Sequence, residues 1–301
     1  MKKWIWIFMT VCLLALPLNG FGADKEITVG SKEFTEQRIL GQIMIALLQE
    51  HGFDTDDRTG LGGTMVARTA LTTGQIDVYM EYTGTGLLTI LKHDEPITDP
   101  IECYDTVKAE DMKKNEIVWL PMMSFNNTYT LMMREEDAKE KGIKTLSDLA
   151  KYVQENPQEI AFGLNAEFYA RPDGYRPLQK AYDFRFPSNK IKKMDSGLVY
   201  KALKDEEVDV SMGFATDGRI EAFNFVTLED DKNFFPVYNP APTVRKETAD
   251  KYVELQKIFA ALGAKLNTEA MTKLNYAVDI EHRRAAEVAK EWLKSEGLIS
   301  G

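Results

Sequence analysis

Two stretches of the chain repeat one pattern at a fixed spacing of 132 residues. Ala70-Leu71, four residues and Ile76-Asp77-Val78-Tyr79-Met80-Glu81-Tyr82 align without a gap on Ala202-Leu203, four residues and Val208-Asp209-Val210-Ser211-Met212-Gly213-Phe214. Helix end, turn, apolar strand and exit residue match in order. Either two generic helix–turn–strand units resemble each other by chance, or the chain folds as two lobes with one α/β plan. The second reading has a consequence for function. In open α/β sheets, ligands sit beyond the carboxyl ends of the strands. Tyr82 and Phe214 stand at those ends, so each lobe presents one aromatic ring to a shared cleft.

The rest of the pattern is compatible with two such lobes. Glu26–Gly30 reads as a strand, with Ile27 and Val29 inward. A helix follows, with Thr35 as N-cap and apolar residues at 39, 40, 43, 44, 47 and 48. Thr59–Gly63 is a glycine-rich turn, Thr64–Thr73 a helix, Ile76–Met80 a strand, and Gly84 opens another helix. Alternation of this kind predicts mostly parallel sheets with covered faces. Further on, Ile117–Leu120, Thr128–Met133, Ile160–Leu164, Val208–Phe214 and Phe225–Leu228 are strand-like. Thr145 caps a helix running to Val153, and Asp173–Tyr182 and Ser196–Leu203 are helical. Pro236, Pro240 and Pro242 mark an extended passage. From Lys246 onward the pattern reads as roughly three helices.

The first 23 residues have a different character. Met1-Lys2-Lys3 is a basic start, Trp4–Leu18 an apolar run, and Phe21-Gly22-Ala23 a small-residue exit, which is a signal-peptide layout. The run of roughly 15 residues is short for a membrane span, which needs about 20. Cys12 lacks the lead-in of a lipoprotein site. Residues 1–23 are therefore expected to be a cleaved signal, with a periplasmic product starting near Asp24. Such a product keeps 35 basic and 47 acidic residues, a net charge of −12 in place of −10. An acidic chain is a poor general binder of polyanions, which argues against nucleic acid and anionic membrane surfaces as partners. Cys103 is left alone, so no intrachain disulfide is available and apolar cores must hold the lobes.

Catalytic patterns are sparse. His51, His93 and His282 have no metal-ligand spacing, and the sequence carries no H-E-x-x-H, C-x-x-C, G-x-S-x-G or phosphate-cradling glycine motif. Cys103 lies in a polar helix and reads as an inert small residue. No enzyme, metal or cofactor is expected. Binding groups are better represented. Lys32 follows the first strand at its carboxyl end, where it either meets a ligand anion or is a solvated loop lysine. Glu81–Gly86 joins a strand to a helix, and Thr85 there either caps that helix, contacts ligand, or does both. Tyr82, Tyr129, Tyr169, Tyr175 and Tyr238 fall at predicted loop edges. Most tyrosines are half-buried packing residues. Several converging on a cleft would form a box for a quaternary ammonium, which donates no hydrogen bonds and is held by cation–π attraction. Arg171 either clamps a carboxylate bidentately or makes a structural ion pair.

Five segments carry a resemblance. They are Val29–Gln37 (VGSKEFTEQ), Asp77–Thr85 (DVYMEYTGT), Glu167–Gly174, Ala215–Ile220 (ATDGRI) and Tyr238–Pro242 (YNPAP). In this order the chain resembles the substrate-binding proteins of ABC importers for glycine betaine, choline and related osmoprotectants. The resemblance implies a type II periplasmic binding protein, two α/β lobes joined by a two-segment hinge. Lobe I would comprise 24–127 and 237–301, lobe II 128–236, with crossings near Asn126–Thr128 and Pro236–Tyr238. It implies an aromatic cage at Tyr82, Tyr129 and Tyr238, and a carboxylate-binding side at Lys32 and Arg171 with Thr85 beside them. Where the family commonly has a second-lobe tyrosine, this chain has Phe214, which keeps a π-face and loses a hydroxyl. The implied function is capture of a glycine betaine-like ligand by a monomeric receptor that delivers it to an inner-membrane ABC permease. Lys32 and Arg171 would favour a carboxylate-bearing ligand over choline. The alternative is another small zwitterion, such as an amino acid or an ectoine-like solute, with Glu81 or Asp217 meeting its ammonium. An enzyme on the same fold is the third and weakest reading.

Overall fold

The computed structural model describes residues 25–300, so the signal-peptide expectation for residues 1–23 lies outside the described residues. Ten strands form two five-stranded sheets: β1 (Lys25–Gly30), β2 (Phe53–Arg58), β3 (Val78–Tyr82), β4 (Ile117–Trp119), β5 (Tyr129–Arg134), β6 (Phe162–Leu164), β7 (Ile191–Lys193), β8 (Val210–Phe214), β9 (Phe225–Thr227) and β10 (Pro240–Arg245). The first sheet runs β2-β1-β3-β10-β4, the second β7-β6-β8-β5-β9. Read position by position, the orders match. Four strands run the same way in each sheet, and β10 or β5 enters antiparallel beside the central strand.

The 132-residue spacing is therefore a structural repeat. β3 and β8 hold equivalent central places, and helices Thr64–Thr72 and Ser196–Lys204 precede them at the same offset. The copies share more than apolar pattern. At the end of β10, the Arg245 guanidinium donates to the Ile76 carbonyl and, at 2.6 Å, to Asp77. At the end of β5, Arg134 donates to the Leu203 and Val208 carbonyls at 2.6 and 2.8 Å and pairs with Asp209 at 3.4 Å. Asp77 and Asp209 each also accept a backbone N–H from the neighbouring parallel strand, at 2.7 Å. One arginine thus ties a helix end to a strand start in each lobe.

The alternation predicted mostly parallel sheets, and each sheet keeps four strands in one direction with a single strand reversed, which makes it mixed. The reason is the chain path: each lobe receives one strand from a segment that has crossed from the other. β10 sits between β3 and β4 although it contains Pro240 and Pro242. Their carbonyls still accept, from the Met123 and Leu120 N–H groups beyond the end of β4. β2 and β7 are further departures, since neither was among the expected strands. The β2 sequence, Phe-Asp-Thr-Asp-Asp-Arg, has one buried side chain, Phe53, and acidic groups that suit an exposed edge. Thr35 is not the N-cap of its helix. Phe34 is, and the Thr35 hydroxyl donates instead to Asp279 Oδ1 at 2.7 Å. Thr145 does cap its helix, in a reciprocal box with Asp148. The C-terminal region holds four helices rather than three: Lys246–Lys251, Leu255–Gly263, Thr268–Asp279 and Ala285–Ser295.

Both faces of the first sheet are covered. Ile39, Leu40, Ile43, Met44 and Leu47 of helix Thr35–Glu50 pack with Phe259, Leu262, Met271 and Leu293 on one side. Ala67, Leu71, Tyr79, Cys103 and Trp119 fill the other. Each such aliphatic chain contributes about 1.5–3 kcal/mol by leaving water. Burial pushes the Cys103 thiol up to about 11. Among the described residues, no helix is long and apolar enough to cross a membrane.

Candidate ligand site between the sheets

A cavity of about 300 Å³ lies between the two sheets, at the carboxyl ends of β1, β3 and β8. Lys32, Tyr82, Thr85, Tyr129, Arg171, Phe214 and Tyr238 all line it. They arrive from separate places in the sequence. Tyr82 and Phe214 are the last residues of β3 and β8, Tyr129 opens β5, and Tyr238 precedes β10. Lys32 follows β1 and Arg171 ends the short helix Ala166–Ala170.

The rings form a continuous wall. Tyr129 meets Phe214 at 5.1 Å between centroids, Tyr238 edge-on at 5.5 Å and Phe168 at 4.9 Å. Phe34, not singled out from the sequence, stacks on Phe214 at 5.1 Å and 12° and lies 6.3 Å from Tyr82. Phe34 thus joins the first-sheet ring to the second-sheet ring. Its place two residues after Lys32, in the loop leaving β1, was the available signal. Tyr169 and Tyr175 stay out of this wall. Tyr169 lies under Lys193 and Arg176, and Tyr175 stacks within the second core.

The tyrosine hydroxyls are anchored. Tyr238 donates to Asp173 Oδ2 at 2.5 Å, and Tyr82 donates to Glu36 Oε1 at 2.7 Å. Burial pushes both phenols well above their usual range, with the neighbouring carboxylate adding to it. Both rings therefore remain neutral, with their π-faces intact. Glu36 is itself buried and accepts four side-chain bonds. Besides Tyr82 they come from Asn127 at 2.8 Å, Asn275 at 3.1 Å and Thr216. Burial raises its carboxyl, against the pull of those donors. Thr216 follows β8 while Asn275 belongs to the C-terminal helices, so this carboxylate ties the two halves together behind the cage.

The cations do not stand free. Lys32 Nζ donates to Glu81 Oε1 at 2.6 Å and to Thr64 Oγ1 at 3.0 Å, with its charge 5.2 Å from the Tyr82 ring. Arg171 grips Asp173 with Nε at 2.8 Å and Nη2 at 2.5 Å, donates to Thr85 Oγ1 at 3.1 Å, and lies 5.4 Å from the Tyr129 ring. Of the two readings open for Arg171, the ion pair is the one present here. Thr85 caps nothing. It accepts from Arg171, while Gly84 is the N-cap of the π-helical turn Thr85–Ile90. The acids that might have met a primary ammonium are also engaged. Glu81 further accepts from Tyr79 at 2.9 Å and from the Tyr82 amide, and Asp217 is held bidentately by Arg219.

This wall of rings at the strand ends of two matched lobes narrows the comparison to binding proteins. Residues 25–295 match the family model described as the substrate binding domain of ABC-type glycine betaine transport systems. The chain belongs to that family. It is 39% identical over 300 residues to a glycine-betaine-binding protein of Pseudomonas aeruginosa, covering 97% of this chain and 96% of the relative. It is 36% identical to an ergothioneine transport permease/ergothioneine binding protein of Helicobacter pylori, covering 98% of this chain but 52% of that longer protein. Among solved structures, that of a glycine betaine/carnitine/choline ABC transporter superposes with a TM-score of 0.73 at 31% identity, over 91% of this chain and all of the other. The fold is that of a type II periplasmic binding protein.

Proposed function

We propose that the protein captures a small quaternary ammonium osmoprotectant, of the glycine betaine class, between its two lobes and delivers it to an ABC permease. The observation that carries this reading is the convergence of Tyr82, Tyr129, Phe214 and Tyr238 on one cavity. A trimethylammonium head offers no N–H and is recognised by aromatic faces, each desolvated contact worth about 2 kcal/mol. Seven residues make the proposed site: Lys32, Tyr82, Thr85, Tyr129, Arg171, Phe214 and Tyr238. A primary ammonium would need a carboxylate, and Glu81 and Asp217, the two acids expected in that role, are both committed to other partners.

The proposed lobes are 24–127 with 237–301, and 128–236. The proposed hinge is the pair of segments around Asn126–Thr128 and Pro236–Tyr238. These segments are bonded to each other: Tyr238 N–H donates to Asn126 Oδ1 at 2.8 Å and Asn127 N–H to the Tyr238 carbonyl at 3.1 Å. Lobes so joined close over ligand by bending there. The protein is proposed to act in the periplasm as a monomer, with the permease in the inner membrane. Native mass spectrometry of the protein purified from its own periplasm tests the reading. A retained quaternary ammonium compound is the expected result, and a retained amino acid would overturn it.

A further inference from the structure

The cavity contains one carboxylate more than its internal pairs require. Lys32 is paired with Glu81 and Arg171 with Asp173. Glu167, from the helix Ala166–Ala170, lines the cavity as a further acid beside these pairs. Its position lies between the two cations. Arg171 Nη1 donates to Glu167 Oε1 at 3.2 Å, and Thr64 Oγ1, which accepts from Lys32, donates to the same oxygen at 2.5 Å. Glu167 Oε2 accepts the Thr64 backbone N–H at 3.3 Å. That amide opens the helix Thr64–Thr72, whose own N-cap, Gly63, supplies no side-chain cap. The second lobe thus caps a first-lobe helix. Burial disfavours the Glu167 charge, but Lys32, Arg171 and Thr64 outweigh it and hold the carboxyl below its ordinary value, so it is an anion at neutral pH. The other charged groups of the lining, Glu33, Lys193 and Asp195, are exposed at the mouth, where solvent screens them.

We infer that Glu167 acts as an internal stand-in for a ligand carboxylate and thereby sets the preference among quaternary ammonium ligands. Where it sits is where the carboxylate of a betaine would meet Lys32 and Arg171. A ligand bearing its own carboxylate must displace or oppose Glu167. A ligand that is a simple cation, such as choline, finds the anion position already filled and a surplus negative charge nearby. Glu167 is thus a specificity-determining residue whose neutralisation favours the zwitterion. The inference rests on the quaternary ammonium reading above.

Calorimetric titration of the mature chain with glycine betaine and with choline, on the wild type and on Glu167→Gln, tests it. The ratio of the two dissociation constants is expected to move toward betaine by about tenfold or more, the scale of one charge-assisted contact. A residue that merely latched the lobes would weaken both ligands together and leave that ratio unchanged, which would overturn the inference. Should Glu167→Gln not fold, Thr64→Val removes the hydroxyl that seats Glu167, and its ratio is expected to move the same way. A wild type that binds neither of these, nor carnitine or proline betaine, would overturn the quaternary ammonium reading itself. A wild type that binds either, with no shift in the variants, would overturn the role of Glu167 alone.

Discussion

Residue by residue, the cage depends on groups behind it. Four donors converge on Glu36, and one is the Tyr82 hydroxyl that fixes the ring. Glu36→Ala leaves these buried donors unpaired at about 1–3 kcal/mol each, so a loss of about 3 kcal/mol or more is expected in urea unfolding. Glu167 carries a pH dependence. Its carboxyl is held below its ordinary value by Lys32, Arg171 and Thr64 against burial. Its contribution to stability is therefore present above the ordinary glutamate value of about 4.3 and is lost as pH falls through the lower native value. The stability difference between wild type and Glu167→Gln should be constant at neutral pH and shrink below about pH 4.3, as read from unfolding midpoints. Much of this residue chemistry was only half legible. The sequence shows Lys32 and Arg171 as cations beside a strand end and a short helix. It does not show that Glu81, 49 residues from Lys32, already neutralises it. For Arg171 a structural ion pair was one of two readings the sequence allowed, and the partner is Asp173, two residues on.

At the scale of elements, the sequence was most informative where burial is two-sided. β3 and β8 are apolar, short and followed by turn signals, and they stand where the 132-residue repeat puts them. β2 was missed because an edge strand needs little apolar alternation, and Asp54, Asp56 and Asp57 hide it. The antiparallel entry of β5 and β10 was invisible because local pattern carries no strand direction. The repeat also contains a clamp that composition could not reveal. Arg134 and Arg245 each tie a helix end and a strand start to the aspartate at the same repeat position, 209 and 77. Arg134→Ala strips the Leu203 and Val208 carbonyls of a charged donor, and each such bond is worth about 1.5–3 kcal/mol. We expect a loss of about 2–4 kcal/mol on that basis, and hydrogen exchange at Val208–Val210 should rise while exchange in β1 and β3 stays unchanged.

For the whole molecule, the proposed function requires the lobes to close over the cleft. Gly218 marks a close contact at the back: a Cβ there would lie 2.7 Å from Tyr276 Cα on helix Thr268–Asp279 of the opposite lobe. Its backbone is right-handed helical, at φ −64°, so alanine strains only the contact and not the chain. Gly218→Ala should therefore weaken ligand binding while leaving the unliganded unfolding midpoint nearly unchanged. The family and the two-lobed plan were legible because the repeat and the five matching segments span the chain. The state of the cleft was not, because lobe contacts such as Thr64–Glu167 join residues 103 positions apart. The central claim is that aromatic faces in this cleft hold a quaternary ammonium. Calorimetric titration of the wild type and Tyr82→Ala with glycine betaine, choline, carnitine and proline betaine tests it most directly. Saturable binding of at least one by the wild type, lost in Tyr82→Ala, is the predicted result. No binding of any at millimolar concentration, or equal affinity in the variant, would contradict it.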